Sequence, residues 1–330
     1  MERIAVSNLD FDISRITLGT WAIGGFMWAG TDEERSIDTI LKAIETGVTT
    51  IDTAPVYGFG LSEQIVGKAI RQYGSREKVE IATKAGLQWD ENQRNITRNS
   101  SARRILQEVE ASLDRLQTDY IDIYQIHWPD YQVDFEESAS VLKQLYDDGV
   151  IRAIGVSNFS AAEMDEFRKT APIHTCQPPY NLFEREAEEN DSVITYCKSN
   201  RISLLTYGAI CRGLLTGKMR PGQKFPKGDL RRIDPKFSDP ERFAAYLETV
   251  EELNRYAKEQ LDSTVIYLAV RWLLDQGIDS PIWGARRPEQ VTFDRVSGWK
   301  ISRDQMDDIE CIVRKRIDRF ENPHYMAPPK

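Results

Sequence analysis

The stretch Ile51 to Glu63, IDTAPVYGFGLSE, sets the terms for the rest of the 330-residue chain. Thr50, Ile51 and Thr53 are β-branched, as strands prefer, and Ala54-Pro55 followed by Gly58 and Gly60 breaks the run, so a short strand empties into a loop. Asp52 stands near the strand's end and Tyr57 lies in the loop. In a barrel of alternating strands and helices the carboxyl ends of the strands carry the chemistry, which makes an acid and a phenol at this place candidates for it.

The same rhythm runs outward in both directions. Arg3 to Val6 and Leu9 to Ile13, around Ser7-Asn8, predict a hairpin ahead of Ile16 to Trp21, a strand followed by a helix that Asp32 caps and that ends at Gly47. A helix from Ser62, with Ser62 as its cap, follows the Asp52 strand. Val79 to Thr83 runs up to Lys84, Tyr120 to Ile126 to His127, Ile151 to Val156 to Ser157-Asn158, and further strands cover Thr175 to Gln177 and Ile202 to Tyr207. From Gly208 to Pro240 the chain is rich in Gly, Pro, Lys and Arg, a loop of functional length. Helices are expected over Pro240 to Leu261 and Thr264 to Gln276, an eighth strand over Ser280 to Trp283, one more helix from Pro288, a last over Ser302 to Phe320, and then a turn-rich tail, Glu321 to Lys330. Eight strands alternating with helices, without a linker or a repeat, predict one (β/α)8 barrel over residues 1–330 with an amino-terminal hairpin and extra helices toward the carboxyl terminus.

Composition narrows the function. With 43 basic and 52 acidic residues the formal charge is −9, which argues against a nucleic-acid or anionic-membrane surface while leaving room for local basic pockets. Cys176, Cys197, Cys211 and Cys311 form no CxxC pair, as expected of thiols in a reducing compartment. MERIAVSNLD lacks an apolar core for a signal peptide and no apolar run is long enough to span a bilayer, so the expected setting is cytoplasmic. His127, His174 and His324 show no metal-ligand spacing, and there is no G-x-S-x-G elbow, so neither a metal site nor acyl transfer is expected.

Asp52, Tyr57, Lys84 and His127 each stand at or just past the end of the second, third or fourth strand, and a parallel barrel brings those ends to one mouth. A phenol, with an ordinary pKa of about 10, is a weak acid at neutral pH, and a neighbouring ammonium is expected to lower that value. Asp52 supplies the counter-charge Lys84 needs when buried, and His127 can orient a substrate oxygen. Singly, each is more often a cap, an ion-pair partner or packing. Four complementary groups at successive strand ends suit protonation of a forming alkoxide.

IDTAPVYGFGLSE, IATKAG from Ile81, YQIHWPD from Tyr124 and GVSNFS from Gly155 resemble the signature segments of the aldo-keto reductase superfamily of NAD(P)H-dependent barrels, and in particular its bacterial branch with NADP-dependent glycerol and glyceraldehyde reductases. The resemblance implies Tyr57 as general acid/base, tuned by Lys84 and Asp52, with His127 placing the carbonyl. It also implies that Ser157, Asn158 and Gln177 hold the carboxamide of the nicotinamide, that Tyr207 stacks beneath its ring, and that Gly208, Ala209, Arg212, Gly213, Leu215, Gly217 and Lys218 fold over the pyrophosphate. Gly19, Thr20 and Trp21 at the first strand end belong to the same expected cofactor set. After the eighth strand, WGARRPEQ offers Gly284, Ala285, Arg286, Arg287 and Gln290 for the adenosine end, and the two arginines favour NADP(H) over NAD.

Trp21, Met27, Trp28, Trp89 and Trp128, beside Tyr57 and His127, are the expected walls of a pocket for small neutral aldehydes, ketones or polyols. The expected partner is a small carbonyl or alcohol, in a monomer or weak homo-oligomer. A second possibility is a redox-sensing module similar to the potassium-channel β subunits, which share the barrel and its nicotinamide cofactor; turnover on small aldehydes separates the two.

Overall fold

The computed structural model describes residues 1–7, 9–189, 192–318, 320 and 326–329. Two antiparallel strands, β1 (Arg3–Ala5) and β2 (Asp12–Ser14), form the expected hairpin in shorter spans, and the predicted turn residue Asn8 lies outside the described residues. β3 (Thr17–Gly19), β4 (Thr50–Asp52) and β5 (Glu80–Ala85) open a parallel series. An unanticipated small hairpin, β6 (Leu87–Gln88) with β7 (Thr97–Arg98), stands in the polar stretch after β5. The series continues through β8 (Ile123–Ile126), β9 (Ile154–Ser157), β10 (Thr175–Gln177), β11 (Ser203–Leu204) and β12 (Ile282–Gly284). β12 pairs with β3, and on its other side Ile282 N–H donates to Thr206 O at 2.8 Å. The eight parallel strands therefore close on themselves, and the edges of the sheet find backbone partners.

Helices α1 (Glu33–Glu45), α2 (Leu61–Tyr73), α3 (Ala102–Leu116), α4 (Phe135–Asp147), α5 (Ala161–Arg168) and α6 (Val193–Ser199) lie between successive barrel strands. α7 (Pro235–Ser238), α8 (Pro240–Gln260) and α9 (Val265–Asp275) separate β11 from β12, and α10 (Arg303–Arg314) follows. Asp32 caps α1 through Arg35 N–H, as its sequence predicts. Ser62 does not cap α2: the helix starts at Leu61 after a left-handed Gly60, and the buried Ser62 hydroxyl bonds those of Thr20 and Thr53 at 2.7 and 2.9 Å. The helix predicted from Pro288 is replaced by two single 3₁₀ turns, Pro288–Gln290 and Phe293–Val296. The 208–240 segment holds short helical turns, Cys211–Thr216 and Leu230–Arg232, besides α7. Positions 190–191 ahead of α6, position 319 of the predicted last helix, and positions 321–325 and 330 of the tail lie outside the described residues. Among the described residues no helix is long and apolar enough to cross a membrane.

Alternation along each strand divides its side chains between two cores. Leu18, Ile51, Ile81, Tyr124, Ile154 and Trp283 face the helices in the main cluster. Ala82, Ile123, Ala153, Leu205 and Ile282 face inward, where they meet Val6, Phe11 and Ile13 of the amino-terminal segment, which plugs the bottom of the barrel. Burying each of the Ile, Leu and Val side chains among them contributes roughly 1.5–3 kcal/mol. The inward parity, continued toward the carboxyl ends, is that of Lys84, His127, Ser157, Tyr207 and Gly284. The pattern that packs the interior thus also aims the polar groups at the mouth.

Candidate active site

Asp52 ends β4 with its carboxylate buried, and the equally buried Lys84 on β5 reaches both carboxylate oxygens, at 2.8 and 2.9 Å, and Thr53 O at 2.9 Å. Thr20 supports Asp52 from behind, its hydroxyl donating to Asp52 O at 2.9 Å. Lys84 Nζ stands 3.4 Å from the Tyr57 hydroxyl and 5.1 Å from the centre of its ring. The Tyr57 loop is held in place by Gly58, whose φ of +69° favours glycine and where a Cβ would stand 2.1 Å from Gly24 O. Across the cleft the His127 ring meets that of Tyr57 edge-on, with centroids 5.9 Å apart.

Burial, and then Asp52, raise the Tyr57 phenol well above its ordinary pKa of 10.0, the reverse of the lowering expected from a lysine neighbour. The ammonium is already compensated by the Asp52 carboxylate, so desolvation decides the direction. Burial lowers Lys84 against the pull of Asp52, and burial together with the Lys84 charge holds His127 well below 6.5, so its imidazole is neutral at physiological pH.

Ser157, Asn158 and Gln177 come together opposite this group. Gln177 Nε2 donates to Asp52 Oδ2 at 2.8 Å, and the Ser157 hydroxyl to Gln177 O at 2.8 Å. Asn158, in a left-handed conformation at φ +62°, donates from Nδ2 to His127 O at 2.9 Å and accepts from the Tyr207 hydroxyl at 2.9 Å. Amide and hydroxyl groups of three strand ends are thus tied to the Asp52 carboxylate and the His127 carbonyl of two others in one polar floor.

That floor opens into a cleft of about 600 Å³ reaching from Trp128 past Tyr57 to Arg287. Gly19, Trp21, Trp28, Asp52, Tyr57, His127, Trp128, Ser157, Asn158, Gln177, Tyr207, Gly208, Ala209, Arg212, Gly213, Gly284, Arg286, Arg287 and Gln290 line it. Trp21 stacks beside Tyr57 at 6.1 Å and meets Trp28 edge-on at 5.5 Å. Thr20 and Ala285 lie buried behind the wall, and Trp89 packs outside it, against Phe59 and the Arg104 guanidinium. Leu215, Gly217 and Lys218 also stand off the cleft: the left-handed pair Arg212–Gly213 turns the chain, which buries Leu215 in the core and leaves Lys218 in solvent. Sequence alone missed Phe26, Val56, Leu87, Ile96, Arg231, Met326 and Pro328 as lining residues. The last is fixed by Arg98, whose Nε donates to Pro328 O at 3.2 Å.

At the far end Arg286 is anchored to the loop before α1, donating to Trp28 O and Gly30 O, while Gln290 accepts from Arg286 N–H at 2.8 Å. Arg231 and Arg287 stand close enough to add to the effect of burial in lowering the Arg286 pKa. Like charges gathered at one end of a cleft favour an anion there. Arg212 differs: buried, it pairs with Glu184 at 2.6 Å and Asp234 at 3.5 Å, beside Lys236 at 2.9 Å from Glu184. Burial would raise the Glu184 carboxyl, but Arg212 and Lys236 outweigh it and hold it down at about 2.

The cleft fits a dinucleotide. Its floor offers amides for a carboxamide, its middle is lined by Gly208, Ala209 and Gly213, and its far end by three guanidinium groups. Gly284 keeps the passage open, since nothing lies nearer than 3.8 Å to where its Cβ would stand. A closed parallel barrel with a buried carboxylate, lysine, phenol and imidazole at the head of such a cleft is the architecture of a nicotinamide-dependent oxidoreductase.

The Aldo/keto reductase family model matches residues 15–314, and the chain belongs to that family. It is 54% identical over 331 residues to aldo-keto reductase YhdN of Bacillus subtilis (strain 168), covering all of this chain and 98% of that one. It is 36% identical to the NADH-specific methylglyoxal reductase of Escherichia coli (strain K12), over 97% of this chain and 100% of that one. Among solved structures, the glycerol dehydrogenase AKR11B4 of Gluconobacter oxydans superposes with a TM-score of 0.87 at 45% identity, over 98% of this chain and 99% of that one.

Proposed function

We propose that this aldo-keto reductase reduces small aldehydes and ketones with NADPH and runs the reverse oxidation on alcohols such as glycerol. The observation that carries this reading is the Tyr57 phenol facing His127 above the buried Asp52–Lys84–Gln177 cluster, inside an aromatic pocket. The names of two relatives, a methylglyoxal reductase and a glycerol dehydrogenase, support a substrate of that size.

When bound, the nicotinamide supplies or takes up a hydride. Ser157, Asn158 and Gln177 would hold its carboxamide, Tyr207 would pack against its ring, and Arg286 and Arg287 would hold the phosphate at its far end. Tyr57 gives its proton to the substrate oxygen as negative charge develops there, and its raised pKa keeps that proton in place until then. The neutral His127 orients the same oxygen. Lys84, balanced by Asp52, stabilises the phenolate left behind. Trp21, Trp28 and Trp128 exclude water.

The preference for NADPH rests on the exposed Arg287 beside Arg286. The test is the loss of NADPH or NADH absorbance with DL-glyceraldehyde, methylglyoxal and a panel of small aldehydes. NADPH-selective turnover is the expected result. Tight dinucleotide binding without turnover on any carbonyl would overturn the catalytic reading, and faster turnover with NADH the cofactor choice.

A further inference from the structure

We infer that Glu184 is a positioning residue for the cofactor cradle, because it ties together both ends of the 208–238 segment and so builds the cradle before the dinucleotide arrives. The inference rests on the reading of the cleft as a nicotinamide-cofactor site.

Glu184 follows β10 and is fully buried. Its Oε1 accepts from Arg212 Nη1 at 2.6 Å, near the start of the segment, and from Lys236 Nζ at 2.9 Å, at its end in α7. Its Oε2 accepts from Asn181 Nδ2 at 2.7 Å, and that same amide donates to Gly208 O at 3.0 Å. One carboxylate therefore engages the cleft-lining Arg212 directly, the cleft-lining Gly208 through Asn181, and the far helix through Lys236. Asp234 completes a set of two anions and two cations, 3.5 Å from Arg212 and 3.6 Å from Lys236, and it also caps α7 through Lys236 N–H at 3.0 Å.

The backbone needs such a clamp. Cys211, Arg212 and Gly213 have φ of +45°, +52° and +90°, and for the first two residues that conformation is costly unless their surroundings impose it. The same twist faces Gly208 and Gly213 to the cleft and turns Lys218 away. A buried, charge-balanced cluster with short contacts is stiff, and breaking one member strands the charge of another. The cradle is thus rigid by construction, and Arg212 serves it as a strut, which differs from the phosphate-binding role its sequence suggests.

Glu184→Gln strands two buried cations and is liable to unfold the chain, so the test uses Glu184→Asp, which keeps the charge and shortens the reach, with Asp234→Asn beside it. NADPH dissociation constants come from quenching of tryptophan fluorescence, kcat and KM for NADPH from turnover, and segment order from hydrogen exchange of peptides covering 208–216 and 229–238. In the wild type these peptides are protected without cofactor and change little when it binds. In Glu184→Asp their exchange quickens without cofactor and recovers with saturating NADPH. The NADPH dissociation constant and KM rise about tenfold, as expected when the competent fraction falls to about a tenth, and kcat stays within about twofold. Free exchange of the wild-type segment until NADPH binds would overturn the inference. So would a loss of thermal stability in the variants with the dissociation constant unchanged, since a merely structural ion cluster gives that result. Failure of the wild type to bind either dinucleotide sinks the cofactor reading, and the exchange of the cofactor-free proteins still decides whether Glu184 fixes the segment.

Discussion

Gln177 on β10 and Lys84 on β5 bond the same carboxylate oxygen of Asp52, at 2.8 and 2.9 Å, from different sides of the barrel mouth. The acid at the centre of the site is therefore satisfied by two strands, and each partner carries part of the stability of the other's contact. Replacing Gln177 by Leu leaves a buried carboxylate oxygen short of one donor, a loss of about 1–3 kcal/mol. Urea unfolding should show a drop of that size, together with weaker NADPH binding. An unchanged unfolding midpoint would mean that water replaces the amide.

Tyr57→Phe removes the proton donor and keeps the ring. Lys84 approaches the hydroxyl only at 3.4 Å, so little stability depends on it. NADPH binding should survive, while kcat falls by roughly 10²–10⁴-fold, the usual contribution of a general acid. Steady-state kinetics beside a fluorescence titration checks both halves. Retained turnover would remove Tyr57 from its role.

Arg286 and Arg287 should respond differently to mutation. Arg286 is held by two carbonyls of the loop before α1, so Arg286→Gln loosens that loop as well as removing a phosphate contact, and weakens both dinucleotides, NADPH the more. Arg287 is exposed at the cleft's end, and Arg287→Gln should raise KM for NADPH about tenfold or more and leave that for NADH nearly unchanged. The ratio of kcat/KM for the two cofactors is the quantity to measure.

Glu108 gives the fold a pH dependence. It is buried in α3, where it accepts from Gly86 N–H at 2.7 Å and from Arg104, and burial raises its pKa from 4.5 to about 7 against their pull. The folded chain then holds a proton that the unfolded chain has released, so this contribution is complete below about pH 4.5 and is lost as pH rises through about 7. It amounts to about 3 kcal/mol. Denaturation of the wild type should show stability declining between pH 5 and 7.5, with a flatter profile in Glu108→Gln. Equal slopes would place the dependence elsewhere.

The barrel was legible because each strand announces itself twice, by β-branched content and by the break that follows it. The Asp52, Tyr57, Lys84 and His127 group was legible because all four stand at or just past strand ends. Side-chain commitments at long range were not. Nothing in NLFERE marks Glu184 as the partner of Arg212 and Lys236, and the loop's basic residues look alike until the twist at Arg212 and Gly213 sends Lys218 into solvent. Trp89 and Trp128 are equivalent as letters; the small β6–β7 hairpin, too short to predict, puts one outside the cleft and the other on its wall. The lowering expected for the Tyr57 phenol failed for a related reason: spacing shows which charges are neighbours, while the balance between charge and desolvation depends on depth.

The pairing of β12 with β3 has a consequence for how the chain is made. Leu18 lies beside Trp283, so the seam of the barrel joins residues from nearly opposite ends of the sequence. A ribosome releases the first before the second exists, and contacts of such separation form slowly. During synthesis β3 must wait with one edge open, and the amino-terminal plug of Val6, Phe11 and Ile13 waits with it for Ile282. Closure is therefore a late event in the life of each molecule, and a nascent chain stalled before Ile282 has Asp52, Tyr57, Lys84 and His127 but no ring to hold them.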